Sequence, residues 1–282
     1  MMKHVPVLLD AVMNALGDIR GKHIVDCTFG AGGYSRAFLD AGADVVAFDR
    51  DPKGVDDAEK LANKYGNRFR FIPETFSHLN NLDKTFDAIV FDLGISSMQI
   101  DNAERGFSFR YDAPLDMRMS KSGLTAADLI KTKSVDELIH ILREYGDIKK
   151  ASALAHAFKD NLPKTTFELR DLIFNPHDIA PIFQALRIAV NDEMGELERA
   201  LASVPGRLNV GGKCICVTFH SLEDRIVKNT FRKWTTVAGD PRLPGGHPAP
   251  FVTIKSVVPT TAEIGSNPRS RSAHMRGVVK SY

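Results

Sequence analysis

Short apolar runs that end at aspartate or glycine recur through the first ninety residues, and they constrain the fold more than any other feature. The runs cover residues 24–27, 44–48, 69–72 and 87–91, with helix-like stretches at about 33–41 and 52–65. Short β-branched runs that alternate with helices are typical of βαβ units, whose parallel strands are buried on both faces. The pattern predicts an α/β fold.

A different pattern occupies the middle of the chain. Residues 101–120 have no clear period and are dense in Arg, Asp and aromatic side chains. Helix-start signals follow, because Ser134 precedes Glu137, and Thr165 precedes Glu168, by the three positions of a capping box. Helices are predicted over residues 134–146, 148–160 and 166–174.

The α/β pattern returns near residue 180. The elements expected there are an amphipathic helix over 181–202, a strand over 213–219 and a helix capped at Ser221 that ends near Trp234. A stretch rich in Pro and Gly at 240–250 is expected to be a surface loop. We therefore expect one split α/β domain, residues 1–104 plus 179–282, with a helical insert at 105–178.

Composition excludes several classes of protein. The 282 residues carry 37 basic and 35 acidic side chains, a formal net charge of +2, which is unlike a histone-type polycation. The three cysteines form no CxxC pair, and Cys214 and Cys216 are expected to be reduced thiols in a buried strand. The chain has no run of 18 apolar residues and no signal peptide, so we expect a cytoplasmic protein without a membrane span.

The first apolar run leads into a glycine-rich turn, Asp26-Cys27-Thr28-Phe29-Gly30-Ala31-Gly32-Gly33. Closely spaced glycines at a strand-to-helix turn let a ligand approach the backbone, although a purely structural tight turn is the alternative. Asp49, at the end of the second run, is placed to accept both hydroxyl hydrogens of a ribose.

The glycine pattern differs from the dinucleotide fingerprint. Ser35 stands where the third glycine would be, and no phosphate-binding arginine is evident. Asp26 would repel a pyrophosphate but could hold an amino group. These features favour S-adenosylmethionine over NAD, so an NAD-dependent dehydrogenase is the weaker alternative.

Asp92 follows the fourth run, in the segment Asp92-Leu93-Gly94-Ile95-Ser96-Ser97. In open α/β sheets, ligands bind beyond the carboxyl ends of the strands. Asp92 is therefore expected beside the glycine turn, where a substrate amine would meet a cofactor methyl group. The alternative is that Asp92 caps a turn and that Ser96 and Ser97 begin a helix.

Eight motifs together resemble the RsmH (MraW) family, in the family's order and across almost the whole chain. They are HVPVLL at 4–9, DCTFGAGG at 26–33, DLGISS at 92–97, ERGFSF at 104–109, PLDMRM at 114–119, QALRIAVN at 184–191, FHSLEDR at 219–225 and NPRSRSA at 267–273. The resemblance implies a class I (Rossmann-like) S-adenosylmethionine-dependent methyltransferase with an inserted all-helical domain for substrate recognition.

The resemblance also implies a reaction and a set of site residues. The family methylates the exocyclic N4 of one cytosine in the decoding region of 16S ribosomal RNA, within the small ribosomal subunit; a DNA substrate and a metal are not expected. The cofactor contacts implied are Gly32, Gly33 and Tyr34 at the turn, Asp49 on the ribose, Phe76 near the adenine, and Asp92 and Gln99. Tyr34 replaces the histidine of many members, a change that a backbone contact would survive.

Asp92 is the candidate catalytic residue. The N4 amine of cytosine is a poor nucleophile, and a carboxylate that accepts its N–H bonds would localise the lone pair and take a proton after attack. The segment lacks the Pro-Pro-aromatic sequence of many amino-methyltransferases, so another segment must stack on the base. Phe107, Phe109 and Tyr111, interleaved with Arg105, Arg110 and Arg118, are the candidates.

The alternative for that segment is a loop that anchors the core, with buried Phe side chains and with Asp112 and Asp116 pairing the arginines. Further candidate substrate residues are Arg269 and Arg271 in an acid-free tail that also carries Arg276 and Lys280, and His220 beside Ser221. The tail as solvated surface and His220 as a structural strand-end residue are the alternatives. Two other functions stay open: methylation of DNA or another RNA, and a non-catalytic RNA-binding factor that retains the cofactor pocket.

Overall fold

The computed structural model describes residues 6–236 and 249–282. The chain forms two compact units: the sheet unit, in Met1–Gly94 and Met194–Tyr282, and the helical unit, Ile95–Glu193. His4 and Val5 of the first motif, and the loop predicted at 240–250 except its last two residues, lie outside the described residues.

A single mixed sheet forms the centre of the sheet unit. Its strands are β1 His23–Asp26, β2 Asp44–Phe48, β3 Phe69–Ile72, β4 Phe86–Asp92, β5 Leu208–Thr218, β6 Phe251–Val257 and β7 His274–Lys280. Their order is β3-β2-β1-β4-β5-β7-β6. Strands β1 to β5 pair in parallel, and β7 pairs antiparallel with both β5 and β6. The predicted α/β fold with a parallel sheet is confirmed, whereas β6 and β7 were not predicted.

Successive side chains of the parallel strands enter two different apolar clusters. Ile24 and Val90 pack in one cluster, and their neighbours Val25 and Ile89 pack in the other. Because side chains alternate between the faces of a strand, the sheet is covered by apolar residues on both sides. Cys214 and Cys216 are free, buried thiols of β5, as predicted.

Twelve α-helices lie within the described residues. They are α1 Leu9–Leu16, α2 Gly33–Asp40, α3 Val55–Tyr65, α4 Ser97–Asp101, α5 Ala126–Thr132, α6 Val135–Gly146, α7 Ala151–Asn161, α8 Thr166–Asp171, α9 Ile179–Asn191, α10 Glu193–Arg207, α11 Ser221–Thr235 and α12 Thr261–Ser266. None of the helices in the described ranges is long and apolar enough to cross a membrane.

The prediction of a single helix over residues 181–202 is wrong, because Asp192 separates α9 from α10. That residue adopts a left-handed conformation with φ 48° at the C-cap of α9. Asp and Asn enter this region more readily than most residues, and such a residue ends a helix. The apolar period continues across the break, so periodicity alone does not reveal it.

The helical unit is larger than the predicted insert at 105–178, beginning ten residues earlier and ending after α9. Ile182, Phe183 and Leu186 of α9 share one apolar cluster with Leu138 and Leu142 of α6. A boundary at residue 178 would place α6 and α9 in different units. Because these helices pack in one apolar cluster, the helical unit extends to the end of α9. The two capping signals are correct: the Ser134 and Thr165 side chains each accept the backbone N–H three residues on.

Candidate active site

The glycine turn connects β1 to α2 at the carboxyl end of the parallel strands. Gly30 and Gly32 have φ angles of 55° and 73°, a region that glycine enters at little cost. A Cβ atom on Gly32 would also lie 2.8 Å from the ring of Phe29. That ring is held against Phe71 with the centroids 5.1 Å apart. Position 32 therefore requires glycine, and the lack of a side chain there lets a ligand approach the backbone.

Asp49 follows β2 and is bound to the same turn. Its Oδ2 accepts the Gly30 N–H at 2.7 Å, and its Oδ1 accepts the Asp51 N–H at 2.8 Å. Burial raises the pKa of Asp49 to about 6, against the two backbone hydrogen bonds that lower it. The group is thus mainly a carboxylate at pH 7, and each oxygen keeps a second lone pair for a hydroxyl donor.

Asp92 is the last residue of β4 and lies beside the turn. Its backbone N–H donates to the Thr28 Oγ1 at 2.7 Å, which ties the end of β4 to the segment after β1. Its Oδ1 is shielded from solvent and has no hydrogen-bond partner among the described residues. Burial, followed by the charges of Asp26 and Glu223, raises the pKa of Asp92 well above its ordinary value. The orphaned acceptor suits a ligand that brings a positive charge or an N–H donor.

The structure shows hydrogen bonds of Asp26 within the protein, and its predicted contact with an amino group stays a prediction. Asp26 is fully buried, accepts the Ser35 hydroxyl at 2.6 Å, and accepts the Thr28 N–H at 3.1 Å. Ser35, which stands at the third glycine position, therefore fastens α2 to the end of β1. Burial raises the pKa of Asp26, and its charge acts on Asp92.

The sequence matches the MraW methylase family over residues 1–281. The chain belongs to this family. A ribosomal RNA small subunit methyltransferase H from Rhizobium johnstonii is 44% identical over 100% of this chain and 88% of that protein. The protein of the same name from Methylorubrum extorquens is also 44% identical, over 97% of this chain and 85% of its own length. An rRNA methylase structure from Streptococcus thermophilus aligns with 13% identity and a TM-score of 0.46, over 100% of this chain and 99% of that one.

Membership in the MraW methylase family makes the chain a Rossmann-like methyltransferase that uses S-adenosylmethionine. The residues at the sheet edge fit that cofactor. At Gly32 the turn has no side chain and allows close approach of a ligand. The Asp49 carboxylate suits a ribose diol, and the unpartnered Asp92 Oδ1 suits an N–H donor beside the methyl group. Of the predicted contacts, Gly32, Gly33, Tyr34, Asp49, Phe76 and Asp92 lie in the sheet unit.

Tyr34 and Phe76 differ in what their side chains can offer. Tyr34 is only 3% exposed, its ring lies 5.8 Å from that of Phe38, and its hydroxyl donates to the Val7 carbonyl. Any contact of Tyr34 with a ligand is thus through its backbone. Phe76 is half-buried, edge-on to Phe91 at 5.7 Å, and keeps part of its ring available for an adenine.

Gln99 lies in the helical unit, where it caps α4. Its backbone N–H donates to the Ser96 Oγ, and its side-chain oxygen accepts the Ser96 N–H at 3.0 Å. The helix start proposed as the alternative for Ser96 is therefore present, in the S-x-x-Q form of a capping box. The assignment of Gln99 to the cofactor stays a prediction.

His220, rather than Ser221, is the N-cap of α11, so the capping prediction at Ser221 is wrong. The His220 Nδ1 accepts the Glu223 N–H at 3.4 Å, and one Glu223 oxygen lies 3.0 Å from the His220 Nε2. The other Glu223 oxygen accepts the Phe219 N–H at 2.8 Å. Glu223 was not predicted, although the H-x-x-E spacing is that of a capping box. It is 2% exposed and acts electrostatically on Asp92.

The segment that carries Arg and aromatic residues is only partly exposed. Phe107 is 8% exposed and packs in the helical core, and Phe109 packs against Phe183 at 5.5 Å. Arg105 is 5% exposed and donates to the carbonyls of residues 118 and 119. These placements favour the core-anchoring alternative for most of the segment.

The remaining members of the segment fall into two kinds. Arg118 forms a bidentate pair with Asp116, at 2.7 and 2.8 Å, as the alternative expected. Arg110 is exposed and Tyr111 is 61% exposed, so these two side chains stay available to a partner.

The basic tail is not a free surface along its whole length. Arg276 of β7 forms a bidentate pair with Asp224 at 2.7 and 2.8 Å, and the Lys280 Nζ donates to the carbonyls of Pro205 and Leu208. Arg269 and Arg271 lie in the 3₁₀ helix Pro268–Ser272 and are exposed. Two of the four basic residues of the tail, Arg276 and Lys280, thus stabilise the fold through contacts within the protein.

Proposed function

We propose that this methyltransferase modifies the exocyclic N4 of one cytosine in 16S ribosomal RNA, in the decoding region of the small subunit. The observation that carries the proposal is the buried Asp92 Oδ1, which has no partner at the carboxyl end of β4. An amine substrate brings the N–H donor that this oxygen lacks. Full-length relatives at 44% identity bear the name of a ribosomal RNA small subunit methyltransferase, which supports the choice of RNA.

Asp92 acts on the amine. S-adenosylmethionine, when bound, supplies an electrophilic methyl group. The Asp92 carboxylate accepts an N–H bond of the cytosine amine, localises the nitrogen lone pair and receives the proton after attack. This function requires the anion, which burial and the carboxylates of Asp26 and Glu223 disfavour. A positive charge brought by the cofactor would lower the pKa of Asp92 again, so Asp92 would ionise once the cofactor is bound.

Substrate contacts are proposed for the exposed residues of the helical unit and the tail. Arg110 and Tyr111 present a cation and an aromatic face, the two groups that bind phosphates and stack on unpaired bases. The Tyr111 carbonyl accepts the Thr166 hydroxyl at 2.7 Å, which fixes this segment to α8. Arg269, Arg271 and His220 are the proposed contacts of the sheet unit.

A pair on α8 that sequence analysis missed adds to the candidate substrate contacts of the helical unit. The Arg170 guanidinium lies 3.7 Å above the ring of Phe167, and the Phe167 N–H donates to the Asp112 Oδ1 at 3.3 Å. The Arg170 Nε and Nη2 also donate to the Asp171 Oδ1 at 3.1 and 3.0 Å, which neutralises part of its charge. The stacked guanidinium still offers a flat face to a further base. Its sequence signal is a phenylalanine three residues before an arginine on a predicted helix.

Labelled methyl transfer tests the proposed function. Small ribosomal subunits that lack the modification are incubated with the chain and labelled S-adenosylmethionine, and the product nucleoside is identified by mass spectrometry and mapped. We expect N4-methylcytidine at a single position, and no transfer by Asp92→Ala. The matched control is Asp87→Asn, on the same strand, which we expect to retain the reaction.

Each other outcome contradicts the proposal in a distinct way. A different labelled nucleoside, or label in DNA offered in a parallel reaction, would assign another substrate to the same enzyme. Cofactor binding without transfer to any ribosomal intermediate would favour a non-catalytic factor. Retained transfer by Asp92→Ala would remove Asp92 from the chemistry.

A further inference from the structure

The segment before α1 is held against the cofactor turn by two side chains distant in sequence. We propose that Tyr34 and Glu263 fix residues 6–8 as a strap behind the glycine turn, and that this strap sets the affinity for S-adenosylmethionine. In this role Tyr34 and Glu263 are positioning residues, without contact between their side chains and the cofactor. The inference rests on the proposed cofactor site.

The strap is fixed on both sides of one peptide unit. The Tyr34 hydroxyl donates to the Val7 carbonyl, and the Glu263 Oε1 accepts the Leu8 N–H at 2.7 Å. Leu8 itself has a φ of 55°, a left-handed conformation that is costly for a leucine and persists only when its surroundings enforce it. The two hydrogen bonds supply that enforcement on the backbone of residues 7 and 8.

The strap touches the turn at Gly33. A Cβ atom added to Gly33 would overlap the ring of Pro6, so Pro6 packs directly on the backbone at the start of α2. Tyr34 is the next residue of that helix. The strap, the turn and Tyr34 are thus packed together. Motion of the strap would change the packing of Pro6 against the backbone of Gly33.

Tyr34 is also placed between the strap and the charged end of the sheet. Burial raises the pKa of Tyr34 well above its ordinary value, with further contributions from Asp92, Asp26 and Glu263. The phenol therefore keeps its proton and remains a donor to Val7. Histidine is shorter than tyrosine, so we expect Tyr34→His to lose the Val7 hydrogen bond.

Ordering of the strap and binding of the cofactor must favour each other. If a fixed strap raises the affinity for S-adenosylmethionine by some factor, bound S-adenosylmethionine must lower the equilibrium constant for opening of the strap by the same factor. The backbone N–H of Val12 donates to the Leu8 carbonyl at 2.9 Å, so hydrogen exchange at Leu8 and Val12 reports that opening.

The test compares Tyr34→Phe and Glu263→Ala with Tyr65→Phe. Tyr65→Phe is the matched control, because it removes a phenol hydroxyl that bonds to Asp40 on the surface of the same unit. We measure the dissociation constant of S-adenosylmethionine by calorimetry, exchange at Leu8 and Val12 with and without cofactor, and kcat at saturating cofactor. Loss of one buried hydrogen bond predicts an affinity about threefold to tenfold weaker for Tyr34→Phe.

The expected pattern separates positioning from general stability. In the wild-type chain the cofactor slows exchange at Leu8, and in Tyr34→Phe and Glu263→Ala this protection is reduced. The kcat of Glu263→Ala at saturating cofactor changes by less than about twofold. A dissociation constant and exchange rates equal to those of Tyr65→Phe would overturn the strap. Failure of the wild-type chain to bind S-adenosylmethionine would instead overturn the proposed function.

Discussion

Replacement of Asp92 by asparagine is expected to stabilise the protein in the absence of cofactor while it abolishes methyl transfer. The substitution keeps the shape of the side chain and the backbone hydrogen bond to Thr28, and it removes a charge that burial, Asp26 and Glu223 disfavour. Asparagine keeps an acceptor at this position but carries no charge, so the gain is the desolvation cost of the buried charge, about 1–3 kcal/mol. At about 2–4 °C per kcal/mol, Tm rises by roughly 6 °C.

The sign of the pH dependence follows from the raised pKa of Asp92. A group with a raised pKa in the folded state contributes stability that is present below its unfolded pKa and is lost as pH rises through its folded pKa. The wild-type chain therefore loses this contribution with rising pH, and Asp92→Asn does not. The difference in Tm between the two, measured by calorimetry without cofactor, should be near zero at about pH 4 and grow toward pH 8.

Asp87 provides the opposite control on the same strand. Hydrogen bonds from the His23 N–H and Asn209, with the charge of Lys22, lower the pKa of Asp87 despite its partial burial. Its stability contribution is thus present above its unfolded pKa and lost as pH falls, so Asp87→Asn should lower Tm at pH 7. A Tm for Asp92→Asn that is below the wild-type value at pH 8 would refute the reasoning, because it would show that the Asp92 charge is compensated without a ligand.

Two further predictions concern the cofactor and the substrate. Because the pKa of Asp49 is raised to about 6, the affinity of the wild-type chain for S-adenosylmethionine should fall as pH decreases through 6. Asp49→Asn should bind the cofactor weakly at every pH. Calorimetry across about pH 5–8 tests this prediction, and a wild-type affinity that does not depend on pH would contradict it. Exposed Arg110→Ala should weaken the binding of small subunits and reduce the salt dependence of that binding by about one charge. Buried Arg105→Ala should instead lower the free energy of unfolding by about 2–3 kcal/mol. Equal losses of stability in the two variants would contradict these separate functions of Arg110 and Arg105.

The parallel part of the sheet could be predicted because its signals are local. Each of β1 to β4 is a short apolar run with a turn signal directly after it, and parallel strands place those ends at one edge. The positions of Asp49 and Asp92 beside the glycine turn follow from that rule alone. The orphaned Asp92 oxygen does not, because it depends on which groups from other elements leave it without a partner.

The antiparallel edge was missed because its strands carry charges that the fold neutralises. β7 reads HMRGVVK, and its arginine and lysine resemble a solvated tail until Asp224 and the carbonyls near residue 205 are placed beside them. Pairing of β7 with β5 joins segments about 60 residues apart, which no local pattern encodes. The cap at His220 was missed for a related reason, since histidine is not a favoured N-cap residue.

Among the carboxylates of the sheet unit, some have a lowered pKa and others have a raised pKa. Asp87 and Asp224 have lowered values, since Asp224 pairs with Arg276 and Asp87 accepts hydrogen bonds at the start of β4. Asp26, Asp49 and Asp92 have raised values, caused first by burial, and all three lie where parallel strands end. Asp26 and Asp49 each accept two hydrogen bonds within the fold, whereas the Asp92 Oδ1 has no partner among the described residues. The proposed cofactor and substrate account for the retention of that buried acid. In the proposed site, the sulfonium and ammonium groups of S-adenosylmethionine would bring positive charge to this edge of the sheet.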